Sequence, residues 1–186
     1  MNYYHLVTRI PMFEGQIIDF TGEYNNRLYD FWMKRENRTE DGKDIFSVLE
    51  QNDFSDSGRN VIYGYADTEG HAVRETITEL VRISTFPEKP SRFKCLYACK
   101  NIEDALKWKE NFESYHREVL QLIEISTKGP VFTGDAGLLP LINGDSFDKK
   151  MEQAKRYWSG ELVGELEETL VGGKITVEKI IENYKG

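Results

Sequence analysis

At 186 residues the chain is long enough for one good-sized domain and short for two, and its hydrophobic (39%) and aromatic (12%) fractions suffice to build a core. Charged residues make up 30% with a net charge of −8, which disfavours nucleic-acid binding, since a phosphate-gripping protein normally carries a basic stripe. No apolar run approaches the roughly 18 residues of a membrane span, and Met1-Asn2-Tyr3-Tyr4-His5 lacks the basic and apolar regions of a signal peptide, so the expected compartment is the cytoplasm.

In chain order, residues 2–9 are aromatic and β-branched and read as a strand ended by Pro11. A second short strand is expected at residues 15–18. Residues 25–36, with Leu28, Tyr29, Phe31 and Trp32, read as a helix, and residues 45–51 as another. The Ser/Asp/Gly-rich residues 53–58 read as a loop, and residues 59–83 as mostly helical, with Val73, Ile77, Leu80 and Val81 at helical spacing. Phe86-Pro87-Glu88-Lys89-Pro90 is an extended connector, because each proline biases its predecessor away from helix. A strand at 93–98, a helix at 102–112, a strong strand at 119–125 and a short one at 130–132 follow. Residues 146–158 read as a helix and 165–171 as a strand, which the Gly172-Gly173 turn joins to a final strand at 175–181 as a hairpin.

Several chemistries are missing from this string. There is no Gly-x-Ser-x-Gly, no phosphate loop, no His-Glu-x-x-His and no Gly-x-Gly-x-x-Gly. Cys95 and Cys99 read as small apolar core residues, with no metal site, since the three histidines, His5, His71 and His116, lie far apart in sequence. The cluster Lys34, Arg35 and Arg38, diluted by Glu36 and Glu40, reads as a solvated helix end.

Three short pieces, taken in order, resemble the ADP-ribosyltransferase superfamily. They are Tyr4-His5-Leu6-Val7-Thr8; Lys94-Cys95-Leu96-Tyr97-Ala98 with a helix carrying Ala105 and Trp108; and Glu168-Thr169-Leu170-Val171 with a Gly-rich turn and Ile175-Thr176-Val177. The order His, Tyr, Glu is that of the eukaryotic-polymerase-like branch. The chain as a whole also resembles a bacterial family of unknown function, through Tyr3-Tyr4-His5-Leu6-Val7-Thr8-Arg9, Pro90-Ser91-Arg92 and Tyr157-Trp158-Ser159-Gly160.

The resemblance implies an α+β fold, a small, split, mostly antiparallel sheet of ADP-ribosyltransferase type, in one domain of residues 1–186 with an N-terminal helical insertion over about 24–85. It implies NAD as substrate, cleaved at the nicotinamide–ribose bond, with ADP-ribose passed to an unknown acceptor or to water. Glu168 would stabilise the oxocarbenium-like charge, an electrostatic role often worth about 10²–10³ in rate. His5 would bond a ribose hydroxyl, the Leu6 backbone would read the carboxamide, and Tyr97 and Trp108 would wall the nicotinamide.

The chain departs from that pattern in three places. Leu6 and Ala105 stand where the polymerase-like branch has Gly and Ser, and Leu166 stands where the toxin-like branch carries an acid or Gln two residues before its glutamate. A register one residue different makes Glu167 the acid. The alternative reading is a non-catalytic module of the same fold that binds a nucleotide or a protein. A third, an RNA 2′-phosphotransferase, is disfavoured by the acidic composition. On the residues alone, Glu165, Glu167 and Glu168 could equally be solvated acids on an edge strand, and Tyr97 and Trp108 core.

Overall fold

The computed structural model describes residues 1–52, 55–164 and 166–184. Its elements run β1 (Asn2–Val7), β2 (Ile17–Asp19), α1 (Arg27–Met33), α2 (Ile45–Glu50), α3 (Asp56–Thr85), β3 (Cys95–Ala98), α4 (Ile102–Ser114), β4 (Gln121–Thr127), β5 (Val131–Asp135), a single 3₁₀ turn (Ala136–Leu138), α5 (Phe147–Ser159), β6 (Glu167–Gly172) and β7 (Lys174–Asn183). This is a mixed α+β fold on a split sheet. One sheet has the order β1-β4-β7-β2 and the other β3-β6-β5, and every pairing is antiparallel.

Alternation along the strands explains the layering, because successive side chains point to opposite faces. Tyr3 and Val7 of β1, Ile123 and Ile125 of β4, and Ile175 and Val177 of β7 form one cluster with Ala98 and Val171 of the second sheet. That cluster cements the two sheets face to face. Leu6, Cys99 and Leu122 point the other way and are covered by α4 through Ala105, with Ile102, Trp108 and Phe112 around it. On the second sheet Cys95, Phe132 and Leu170 face α3 and α5, where Ile77, Val81, Ala154, Tyr157 and Trp158 close the largest cluster. Cys95 and Cys99 are both buried free thiols; burial pushes both up, Cys99 to about 12.

Two expectations change. Gly172-Gly173 does not close a hairpin: β6 pairs with β3 and β5, while β7 pairs with β4 and β2. The turn instead carries the chain from one sheet to the other. Gly173 has a φ of +74°, a conformation costly for other residues, and a Cβ on Gly129 would lie 2.4 Å from the Gly172 carbonyl oxygen. The close approach of two backbones therefore needs glycine here. The second change is that α3 begins at Asp56, inside the expected loop, because the Ser55 side chain accepts from Gly58 N at 3.2 Å and caps it. Asp53 and Phe54, from the same expected loop, and Glu165, from the expected strand, lie outside the described residues.

Candidate functional site

Tyr4 exchanges both main-chain hydrogen bonds with Cys99, at 2.9 and 2.8 Å, in the one bridge that joins β1 to β3. Even-numbered peptides of β1 thus face β3 and odd-numbered ones face β4. Leu6 is the next even residue, and beyond the bridge its N–H and C=O find no main-chain partner on β3. His5 occupies the seam instead. Its Nδ1 lies 2.7 Å from the Tyr97 carbonyl oxygen; a carbonyl only accepts, so the proton is on Nδ1 and Nε2 is left as an acceptor. Burial holds the imidazole below its ordinary pKa, against the pull of that hydrogen bond, and Arg117 adds to the lowering.

Tyr97 and Glu168 lie on the other face, toward α3 and α5, so the structure does not bring His5, Tyr97 and Glu168 into one cleft. The alternation puts Glu168 beside Leu170 on a buried face, and the reason for a carboxylate there is Arg92. The Arg92 Nη1 donates to Glu168 Oε1 and, at 2.8 Å, to the Tyr157 hydroxyl. Tyr157 in turn donates to the same Glu168 oxygen at 2.7 Å. Arg92 Nε reaches Glu75 Oε2 at 2.8 Å, and its main-chain N–H reaches Glu79 Oε1 at 3.0 Å. Arg74 pairs with Glu75 and Arg82 with Glu79. Three arginines thereby balance three glutamates inside the fold.

The electrostatics follow from that balance. Burial works against the Arg92 charge, but Glu168 and then Glu75 outweigh it, so the guanidinium is held protonated. For Glu75 burial pushes the carboxyl up, yet Arg92 and Arg74 together carry it below its ordinary value. Tyr97 is drawn into the same centre: its ring centroid lies 5.3 Å from the Arg92 guanidinium carbon, and its hydroxyl donates to the Arg92 carbonyl at 2.9 Å. Its ring face is therefore covered, and burial pushes its phenol up.

Trp108 sits elsewhere, at the rim of β6. Its Nε1–H donates to the Glu167 carbonyl at 2.7 Å. Between α4 and the start of β6 lies a crevice of about 70 Å³ lined by Asp104, Lys107, Trp108, Gly164, Leu166 and Glu167. Lys107 bonds Asp104 at 2.8 Å. That hydrogen bond is the main reason the Asp104 carboxyl sits below its ordinary range. Glu167 lies within electrostatic reach of Lys107, and among the described residues its carboxylate makes no hydrogen bond or ion pair. By strand alternation Glu167 shares a face with Thr169, which pairs with Ala98 opposite His5. The register thus sets Glu167 on the face of β6 that Ala98 occupies on β3.

The family model described as "Protein of unknown function (DUF2441)" matches residues 3–183. The chain belongs to this family. No curated protein matches it.

The polar centre of the fold, Arg92 with Glu75 and Tyr157, lies outside the site residues that the sequence suggests. Its sequence signal is that Pro90-Ser91-Arg92 and Tyr157-Trp158 fall in two of the runs that carry the wider resemblance. The basic cluster of α1 is exposed, with Lys34 paired to Asp30 and Arg38 to Glu36. A wider groove of about 230 Å³ beside it sets Arg35 and Arg38 against Glu36, Asp44 and Glu69, so it has no preference for an anion. Among the described residues no helix is long and apolar enough to cross a membrane.

Proposed function

We propose that this protein is an NAD-dependent ADP-ribosyltransferase-like protein that cleaves the nicotinamide–ribose bond at the Trp108–Glu167 crevice and passes ADP-ribose to an acceptor or to water. The observation that carries this reading is the crevice itself: an indole pinned to the strand that bears a carboxylate with no partner among the described residues. Glu167 then takes the acid's role in place of Glu168. As the glycosidic bond lengthens, positive charge grows on the ribose, and a carboxylate free of other partners stabilises it more than one already neutralised by an arginine. Trp108 supplies an aromatic wall for the nicotinamide. His5, with Nε2 as an acceptor, can receive a ribose hydroxyl proton, and the Leu6 peptide edge offers a donor and an acceptor suited to a carboxamide.

One further point supports the reading. With Glu167 as the acid, the residue two before it is Glu165, the place where the toxin-like branch carries its second acid. At about 70 Å³ the crevice is far smaller than the roughly 300–1,000 Å³ of sites that enclose drug-sized ligands, so only the reacting end of the dinucleotide would enter and the rest would lie along the surface.

The test is nicotinamide release from labelled NAD by wild type, Glu167→Gln and Glu168→Gln. Glu167→Gln should lose about 10²–10³ in rate. Equal release by wild type and Glu167→Gln would remove Glu167 from the reaction. The alternative, a non-catalytic nucleotide- or protein-binding module, is favoured by the burial of Glu168 in an ion pair; it predicts no release from wild type at all.

A further inference from the structure

We infer that Tyr157, acting through Glu168, is a positioning residue for Glu167; this rests on the reading of Glu167 given above. Glu167 and Glu168 are consecutive on β6 and point to opposite faces, so anchoring the Glu168 side chain fixes the backbone from which the Glu167 side chain departs. Glu168 is held at a single oxygen by two donors, the Tyr157 hydroxyl at 2.7 Å and the Arg92 guanidinium. Tyr157 is itself fully buried on α5, its ring edge-on to Phe132 at 5.4 Å between centroids and to Trp158 at 4.9 Å, so its hydroxyl has little freedom. Along the strand's hydrogen-bonding direction the Glu167 carbonyl accepts from Trp108 Nε1–H at 2.7 Å, and the strand pairs Glu167 with Asp135 and Glu168 with Gly134.

The start of β6 is therefore held at two points, by Tyr157 and Arg92 on the Glu168 side chain and by Trp108 on the Glu167 main chain. Such clamping matters because a carboxylate that must meet a developing charge loses about 10² in rate for a displacement near 1 Å. Gly134 shows how tight the Glu168 face is: a Cβ there would lie 2.8 Å from the Tyr157 ring, so α5 seats directly on the β5–β6 pair. Tyr157→Phe removes one hydroxyl from beneath Glu168 and leaves the ring to fill the same space.

The comparison that isolates positioning from mere stability uses Tyr157→Phe beside Glu79→Gln. Glu79 is also buried and also touches Arg92, through its main-chain N–H, but has no contact with Glu168. Tyr157→Phe should lower kcat for nicotinamide release on the order of tenfold with KM for NAD within about twofold, while Glu79→Gln should lose thermal stability yet keep its kcat. The Trp108 indole N–H resonance reads the same clamp without turnover. It should shift and exchange faster in Tyr157→Phe but not in Glu79→Gln. If Tyr157→Phe does not fold, Glu168→Gln, which keeps the shape and an acceptor oxygen, is read in its place with the same expectation.

An unchanged kcat and an unchanged Trp108 resonance in the folded variant would overturn the positioning role while leaving the crevice reading intact. A shifted resonance with no nicotinamide release from wild type would keep the clamp and remove the transferase reading instead.

Discussion

Arg92 gathers polar partners from four parts of the chain: Glu75 and Glu79 of α3, Tyr157 of α5, Glu168 of β6, and Asn26 at the start of α1, whose side-chain amide donates to the Arg92 carbonyl at 2.6 Å. At 3% exposure its charge cannot be screened by water, and the same holds for Glu75 at 0%. Removing one partner of a buried pair leaves the other charge uncompensated, at a cost of about 3–5 kcal/mol. Arg92→Met strands Glu168 and leaves Glu75 to Arg74 alone, so urea unfolding should show a loss in that range. A loss under about 1 kcal/mol would mean that the two carboxylates find other partners. At this scale the sequence was legible for Glu168, where a carboxylate alternating with leucines on a strand called for a partner. Which partner was not legible, because Arg92 lies 76 positions away in the chain.

The elements themselves follow from local chemistry. Asn26 accepts from Leu28 and Tyr29 main-chain N–H and starts α1, Asn101 starts α4 and Ser146 starts α5. Gly160, with φ +81°, ends α5 in the left-handed conformation that glycine tolerates. What local chemistry does not decide is the partner of a strand. The Gly172-Gly173 turn has the composition of a hairpin, yet the strands on either side belong to different sheets, β6 lying between β3 and β5 while β7 pairs along β4. The switch needs the backbones at Gly129 and Gly172 in close contact. Gly129→Ala would place its methyl 2.4 Å from the Gly172 oxygen, and should cost about 1–3 kcal/mol as an overpacking change, read as a lowered Tm. A Tm equal to wild type would show that the two loops part without penalty.

For the whole molecule, the interior charges tie stability to pH in one direction. His5 is held below its ordinary value of 6.5 in the folded state, so on acidification the unfolded chain takes up a proton first. Its contribution is complete above about pH 6.5 and is lost as pH falls toward the depressed folded value. Glu75 is likewise held below its ordinary 4.5. Its contribution is complete above that pH and is lost as the pH falls further. Unfolding free energy measured from pH 8 to 3 should therefore decline in two stages, the first absent in His5→Asn. A flat profile between pH 7 and 5 in wild type would show that the imidazole is not shielded.

By itself the sequence determined most element types and the mixed α+β class, because periodicity, capping residues and turn glycines act over a few residues. Only the tertiary structure decided which sheet each strand joined, that Tyr97 and Glu168 turn away from His5 toward Arg92, and that Glu167 rather than Glu168 lines a crevice with Trp108. The physical reason is that a strand has two faces one residue apart. Which face meets core is set by what packs on it from distant parts of the chain, here α3 and α5 on the Tyr97 and Glu168 face.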